Sequence, residues 1–250
     1  MSRILGLDVA TTSGYCIFAD GELETFGTIN INPSMNLPQR LNFLSNEISR
    51  LIKTHHPDYC AIEEVIMAIS GPKTMRYLSR LNGVAIHTCY KVLKDRVCLY
   101  EPSQWKSNSF EGLPGNAKKW EIQLATIKHF NLDIDISYSD ISRMVDAASN
   151  IHTNKQETIS TNRKLINREK TKLKKYKAAK DISNIQKISQ NISNIEKINS
   201  EITADMKLDK ITFNKAMTEI GKDITTQTGM TEDVCDSVGV ALCKWKELQL

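Results

Sequence analysis

Four acidic residues occupy positions from which a carboxylate could bind a metal: two lie in apolar runs and two lie on one face of a helix. Asp8 lies near the end of the first apolar run of the chain, and Glu63 lies within another apolar run. Asp233 and Asp236 are three residues apart, a spacing that places both side chains on one face of a helix. Burial of a carboxylate costs several kcal/mol unless the group is paired or binds a metal. The rest of the chain must therefore supply partners for these acids.

Four carboxylates in one place repel one another and cannot all remain ionised without cations. Hard oxygen ligands of this kind select Mg²⁺, and Mn²⁺ can substitute. Two such ions about 4 Å apart activate a water molecule and stabilise the leaving oxygen in phosphodiester hydrolysis. We therefore predict a metal-dependent phosphodiester hydrolase with Asp8, Glu63, Asp233 and Asp236 as metal ligands. The simpler alternative for Asp233 and Asp236 alone is a capped amphipathic helix with solvated acids.

Apolar runs bounded by turn residues predict the strands that must hold Asp8 and Glu63. A tight polar turn follows Asp8 and joins two such runs, as in a β-hairpin. Later patterns predict strands at 23–31, 59–65 and 96–100 and helices at 37–52, 73–93 and 116–130. This order, β-β-β-α-β-α-β-α, favours an α/β fold in which helices cover a mixed sheet. Thr231 is placed to cap a last helix that carries Asp233 and Asp236.

Length, charge and cysteine content restrict the class of protein. A chain of 250 residues fits one domain, or one domain with a large insertion, and the net charge of +4 does not identify a partner. The six cysteines include no CxxC pair, which argues against a zinc site or a disulfide framework and suits a reducing cytosol. We find no signal-peptide pattern and no membrane-spanning run, so we expect a cytoplasmic protein without a membrane partner.

Residues 131–223 differ in composition from the rest of the chain. They contain no proline, and Gly221 is their only glycine. Residues 163–180 hold nine Lys or Arg against one acid, and a ten-residue repeat follows at 182–201. The isoleucines of this repeat recur at helical spacings of 3, 3 and 4. We predict a helical insertion, and three roles stay open: a low-complexity hairpin, a basic arm that binds phosphates, or a dimer contact.

Three segments, at residues 4–8, 61–68 and 233–241, resemble motifs of the RuvC family of Holliday junction resolvases. The resemblance covers about residues 1–130 and 224–250 and implies an RNase H-like nuclease domain with a mixed five-stranded sheet. The predicted helical insertion at 131–223 has no counterpart in the compact members of the family. It implies a homodimer that cuts two strands of a four-way DNA junction symmetrically, with two Mg²⁺ ions per active site. The catalytic acids it implies are Asp8, Glu63, Asp233 and Asp236.

The segment at residues 102–106, together with the helix that follows it, is similar to the phage members of this family. Lys106, Lys118 and Lys119 cluster in this region of the chain, close to where the acids should meet. We predict that these lysines contact DNA phosphates, because phosphate contacts position a protein on DNA. The alternative is that they form an ordinary solvated helix face.

The chain also departs from the family pattern. Ile66 stands where cellular members commonly carry an aromatic residue thought to engage the junction, so the way the junction opens is in doubt. Asp140 and Asp146 form a second candidate for the last acidic motif. We favour Asp233 and Asp236, because their helix continues into the apolar stretch that the fold needs.

Other functional classes are compatible with part of the sequence. The segment at residues 8–14 also resembles the first phosphate loop of actin-like sugar kinases, whose fold is related. That class expects a second, duplicated domain and a glycine-rich adenosine loop, whereas this chain has 11 glycines and no downstream glycine cluster. A non-catalytic DNA-binding relative is disfavoured by the complete set of acids. A nuclease that prefers flaps or replication forks stays open, and cleavage of a panel of branched DNAs would decide it.

Overall fold

The computed structural model describes residues 2–66, 71–132, 138–179 and 181–249. The chain divides into two compact units. One comprises Met1–Asp135 with Ile220–Leu250, and the other comprises Ile136–Glu219. The acids Asp8, Glu63, Asp233 and Asp236 all belong to the first unit.

A five-stranded mixed sheet forms the centre of the first unit. Its strands are β1 (Arg3–Asp8), β2 (Thr12–Ala19), β3 (Glu22–Asn30), β4 (Tyr59–Glu63) and β5 (Val97–Tyr100). They lie in the order β3-β2-β1-β4-β5. Strand β2 is antiparallel to both β1 and β3, and strand β4 is parallel to both β1 and β5. The predicted mixed sheet is thereby confirmed, although β4 ends two residues before the predicted limit of 59–65.

The helices of this unit alternate with the later strands. They are α1 (Leu37–His55), α2 (Pro72–Leu93), α3 (Pro102–Ser109), α4 (Lys119–Phe130) and α7 (Glu232–Gln249), and the long helices α5 (Tyr138–Ala178) and α6 (Ile182–Thr228) come between α4 and α7. Helix α3 has no counterpart among the predicted elements, which leave residues 101–115 without a helix. In the structure Pro102 is the first helical residue, where a missing N–H costs nothing.

The two faces of the sheet contact different helices. Side chains alternate along a strand, so Leu5 and Leu7 of β1 pack with apolar residues of α1 and α2, whereas Ile4 packs in the core that contains α7. Gly6 and Gly14 lie on the α7 side, and a Cβ atom there would overlap the carbonyl oxygens of Ser237 and Asp233 respectively. These two glycines therefore let the first turns of α7 lie directly on the sheet.

Within the second unit, α5 and α6 pair as an antiparallel helical hairpin. Asn162 donates a hydrogen bond to Asn199 across the pair at 2.9 Å, and Lys155 pairs with Asp209 at 2.5 Å. Ile166 of α5 is buried against two isoleucines of the sequence repeat, Ile188 and Ile192. The helical nature of the insertion is thus confirmed. None of the described helices is both long and apolar enough to span a membrane.

Candidate active site

Asp8 and Glu63 lie side by side at one edge of the sheet. Asp8 is the last residue of β1 and Glu63 is the last residue of β4, and these neighbouring strands are parallel and in register up to the residue before each acid. The carboxyl ends of parallel strands meet at the same edge. Two residues earlier, Gly6 faces α7 and Ala61 belongs to the same core, so the strand period of two turns both acids toward α7.

Helix α7 brings the remaining two acids to this edge. The side chain of Thr231 accepts a hydrogen bond from the backbone N–H of Val234 at 3.2 Å, which is the predicted N-terminal cap. Asp236, one turn into the helix, is buried with 8% of its surface exposed, and Asp233 is partly buried. The cap and the glycine contacts therefore fix where the acids of α7 stand relative to the sheet.

Three of the four acids form a compact cluster. One carboxylate oxygen from each of Asp8, Glu63 and Asp236 lies within 4.8 Å of the others. Asp233 is not in this group, and its carboxylate lies 4.0 Å from the Nζ atom of Lys119. The structure thus places Asp233 at the rim of the cluster.

Asp236 carries an unsatisfied buried oxygen. Its Oδ1 atom is buried and has no hydrogen-bond partner among the described residues. A buried acceptor without a hydrogen-bond partner lowers the stability of the folded protein by about 1–3 kcal/mol. Burial, followed by the charge of Glu63, raises the pKa of Asp236 to about 7, although Lys119 and Lys106 act in the opposite direction. A cation in the cluster would satisfy this oxygen and stabilise the ionised form.

The other two members of the cluster are perturbed in the same direction. Burial raises the pKa of Asp8 well above its usual range, and the charges of Glu63 and Asp236 add to the effect. Burial also raises the pKa of Glu63, although Lys106 and a hydrogen bond from Trp105 oppose the rise. Carboxylates that share a site in this way bind divalent cations through hard oxygen ligands. The residues present therefore fit a divalent metal site.

Trp105 and Asn82 hold Glu63 in place. The Nε1–H of Trp105 donates a hydrogen bond to Glu63 Oε2 at 3.1 Å, and the Nδ2 atom of Asn82 donates to the Glu63 backbone carbonyl at 2.8 Å. The Trp105 side chain is fully buried, and its ring fills the space that a side chain at Gly239 of α7 would need. No pattern in the sequence indicates this role of Trp105, although the residue lies in the segment that resembles phage members.

The three lysines predicted to contact DNA occupy different environments. Lys119 pairs with Glu232 at 2.9 Å, and Lys106 lies with its Nζ atom 5.3 Å from the ring centre of Trp105. Lys118 is exposed, with its Nζ atom 5.9 Å from the ring centre of Trp120. The net effect of its surroundings raises the pKa of Lys119: burial alone would lower it, but Glu232 and the acids of α7 outweigh burial. Lys106 and Lys119 thus offset negative charge at the cluster.

The alternative acids lie elsewhere in the chain. Asp140 and Asp146 both fall within α5, in the second unit, and Asp146 is exposed. Ile66 is 40% exposed beyond the end of β4. Met67 and Ala68, which complete the second family-like segment, lie outside the described residues.

Comparison with known proteins gives consistent matches. The family model described as crossover junction endodeoxyribonuclease RuvC matches residues 4–152. RuvC of Finegoldia magna is 33% identical over 137 residues, which cover 52% of this chain and 80% of that protein. RuvC of Janthinobacterium sp. (strain Marseille) is 37% identical over 89 residues, which cover 34% of this chain and 48% of that protein. The chain therefore spans about half the length of the Janthinobacterium protein and most of the length of the Finegoldia magna protein.

Solved structures of Thermus thermophilus RuvC also match the chain. The structure of that protein in complex with a Holliday junction substrate has a TM-score of 0.47 and 17% sequence identity, and it covers 56% of this chain and 86% of its own. A second structure of Thermus thermophilus RuvC has a TM-score of 0.46 and 17% sequence identity. The match covers 55% of this chain and 85% of that protein's chain.

The family match covers only two of the four proposed metal ligands. The family match ends at residue 152, so it includes Asp8 and Glu63 but stops before α7. The position of Asp233 and Asp236 at the site comes from the structure alone. Because the match spans residues 4–152 of a 250-residue chain, which is more than half, the chain belongs to the RuvC family of crossover junction endodeoxyribonucleases.

Proposed function

We propose that this chain is a metal-dependent endonuclease that resolves four-way DNA junctions by phosphodiester hydrolysis. Asp8, Glu63 and Asp236 would hold the metal directly, and Asp233 would complete the ligand set from the rim of the cluster. The observation that carries the proposal is the buried Asp236 Oδ1 atom, which has no hydrogen-bond partner in the described chain and lies in a cluster with the two strand acids.

The proposed ions are two Mg²⁺ ions per site, for which Mn²⁺ can substitute, since the cluster found among the described residues offers hard carboxylate oxygens. Bound ions of this kind supply an activated water molecule and charge stabilisation of the leaving oxygen. The protein contributes the geometry. Trp105 orients Glu63 by its hydrogen bond, and the close contact of α7 with the sheet fixes Asp236.

Lys106, Lys118 and Lys119 are the proposed DNA contacts of this unit. Lys106 and Lys119 already balance part of the charge of the acids, and Lys118 is exposed near them in the chain. Cations next to the cluster would hold the scissile strand against the acids, which would otherwise repel it. A symmetric pair of cuts requires two sites, so we propose that the active form is a homodimer. Its six cysteines are free thiols, which suits action on DNA in the cytoplasm.

The test compares three single substitutions. Asp8→Asn and Asp236→Asn should abolish cutting of a four-way junction in Mg²⁺ while leaving junction binding in a gel-shift assay unchanged, because each removes a metal ligand without removing a basic contact. The matched control is Asp146→Asn, which removes an exposed carboxylate from the other unit and should cut normally. Normal cutting by Asp236→Asn, or loss of cutting by Asp146→Asn, would contradict the proposed site.

The substrate is tested with the same wild-type protein on a panel of four-way junctions, flaps and forks. We expect paired, symmetric cuts at the four-way junction. The aliphatic Ile66 at an exposed position beside the site is the reason to include the other branched DNAs. Faster cutting of flaps or forks would mean that the chain is a nuclease whose preferred substrate is not the four-way junction.

A further inference from the structure

A groove lies along one side of the α5–α6 hairpin, with a volume of about 450 Å³. Three permanent cations line it: Arg163 from α5, and Lys207 and Lys210 from α6. Ser160 and Thr203 also line it, together with His152, Gln156, Ile159 and Met206, and no acidic residue lines it among the described residues of this unit. The composition of the groove is therefore that of a site for an anion with several acceptor oxygens.

The three cations of the groove differ from other lysines of the hairpin in their ion pairing. None of the three forms an ion pair with any residue that the structure describes. Other lysines of the hairpin do so across the helix pair: Lys155 pairs with Asp209 at 2.5 Å and Lys170 pairs with Glu196 at 3.3 Å. These two carboxylates join the helices, and no ion pair among the described residues uses a cation of the groove.

The positive face extends beyond the groove along α5. Lys174 and Lys177 follow Arg163 by eleven and fourteen residues, which are close to whole helical turns, so they share its face of the helix. Fourteen residues of helix span about 21 Å. A small anion would occupy only a fraction of this length. A DNA duplex, which carries a negative charge about every 1.7 Å along its axis, offers phosphates over all of it.

We propose that this face of the hairpin binds the sugar–phosphate backbone of a DNA duplex, with the groove cations as its central contacts. The choice of DNA as the polyanion rests on the proposed function. Arg163, Lys207 and Lys210 contact phosphate oxygens by charge, and the hydroxyl group of Ser160 donates a hydrogen bond to them, whereas the hydroxyl of Thr203 already donates to the carbonyl of Asn199. Such contacts carry no base information, so the face serves any duplex arm of a branched substrate.

The test compares two triple variants of the full chain with equal loss of charge. The groove variant is Arg163→Gln, Lys207→Gln and Lys210→Gln. The outer-face variant is Lys164→Gln, Arg168→Gln and Lys175→Gln. Those three residues are exposed, form no ion pair with described residues, and lie opposite the buried Ile166 by helical spacing. Any non-specific effect of charge on DNA attraction is therefore the same in both variants.

Binding to a fluorescent four-way junction is measured by anisotropy in EDTA between 50 and 200 mM salt, on the order of the range over which phosphate contacts are resolved. We expect the groove variant to lose at least about tenfold in affinity and to flatten the log–log salt slope by up to about 3, at roughly 0.9 per phosphate contact. The outer-face variant should lose clearly less. Equal losses in the two variants, or no loss in the groove variant, would overturn the site.

Two further measurements separate this inference from folding and from the proposed nuclease. A charge-retaining variant, Arg163→Lys with Lys207→Arg and Lys210→Arg, should bind like the wild type, and a loss of binding there would also overturn the inference. Cutting by the groove variant at saturating protein in Mg²⁺ shows that the acidic site works independently. A wild-type chain that binds duplex DNA but cuts nothing would refute only the nuclease. A chain that binds no DNA at low salt would refute the groove.

Discussion

The indole Nε1–H of Trp105 donates a hydrogen bond to the Glu63 carboxylate across 3.1 Å, which joins the unpredicted helix α3 to the end of strand β4. The same indole ring is fully buried against Gly239 of α7. Trp105 thus contacts two elements that each contribute an acid to the cluster. It is a positioning residue, since it orients a proposed metal ligand.

Trp105→Phe should reduce the rate of cutting without weakening junction binding. Phenylalanine keeps most of the buried ring but loses the donor, and a hydrogen bond to a charged group contributes about 1.5–3 kcal/mol. We therefore expect at least about a tenfold fall in rate, together with weaker Mn²⁺ binding measured by calorimetry. The control is Trp245→Phe, a change in the same core cluster at a residue that packs against Phe18. Unchanged Mn²⁺ binding in Trp105→Phe would refute the positioning role.

The metal-free protein should lose stability as the pH rises toward neutrality. Burial raises the pKa of Asp236 from its ordinary value of 3.8 to about 7, and it raises the pKa of Asp8 as well. Between these values the folded chain binds more protons than the unfolded chain, so the free energy of unfolding falls as the pH rises. We expect a lower Tm in EDTA at neutral pH than near pH 5, and recovery of Tm when Mg²⁺ is added at neutral pH.

The control for this pH dependence is Asp236→Asn, which removes one of the titrating groups. Its Tm in EDTA should change less between the two pH values than that of the wild type. An equally steep pH dependence in Asp236→Asn would mean that other groups are responsible.

Gly14→Ala should disrupt the site by displacing α7. The added Cβ atom would overlap the backbone carbonyl of Asp233, which cannot move without the helix. Overpacking of this kind costs about 1–3 kcal/mol, and we expect both a lower Tm and slower cutting. The matched control is Gly83→Ala in α2, where nothing lies within 4 Å of the new atom. That change should raise the stability by roughly 1 kcal/mol and leave cutting intact. Equal behaviour of the two variants would contradict the close-contact argument.

Replacement of residues 155–215 by a short Gly/Ser linker should preserve cutting and weaken DNA binding. The four acids belong to the other unit, whereas the basic stretch at residues 163–180 lies within the replaced segment. We expect a smaller dependence of binding on salt, because fewer phosphates are neutralised. An unchanged salt slope would leave a dimer contact as the better role for the isoleucine repeat. Lost cutting by a folded, dimeric protein would place the hairpin in the catalytic machinery.

The meeting of Asp8 and Glu63 could be anticipated because both follow short apolar strands, and parallel strands align their carboxyl ends. The sequence does not predict that Asp236 is buried in the cluster while Asp233 lies at its rim. Their spacing predicts one helix face, but residues three apart still differ by about 60° around the axis. The depth at which α7 sits on Gly6 and Gly14 decides that Asp236 is buried and Asp233 is at the rim.

Contacts between distant segments explain the other omissions. Trp105 and Glu63 are 42 residues apart, and no local pattern encodes their hydrogen bond. In the hairpin the isoleucine repeat predicts helix but not its register. Ile188 and Ile192 are buried, whereas Ile182 and Ile198 are 71% and 47% exposed. Only the pairing with α5 selects which isoleucines are covered.

The insertion of the hairpin between α4 and α7 also governs when the acid cluster can form. During synthesis Asp236 follows Asp8 by more than two hundred residues. The sheet can assemble while synthesis continues, but the cluster stays incomplete until α7 emerges and settles on Gly6 and Gly14. A chain that stops within the hairpin would carry basic surface without the third acid of the cluster. Truncation there would therefore leave the proposed metal site without the acids that α7 contributes.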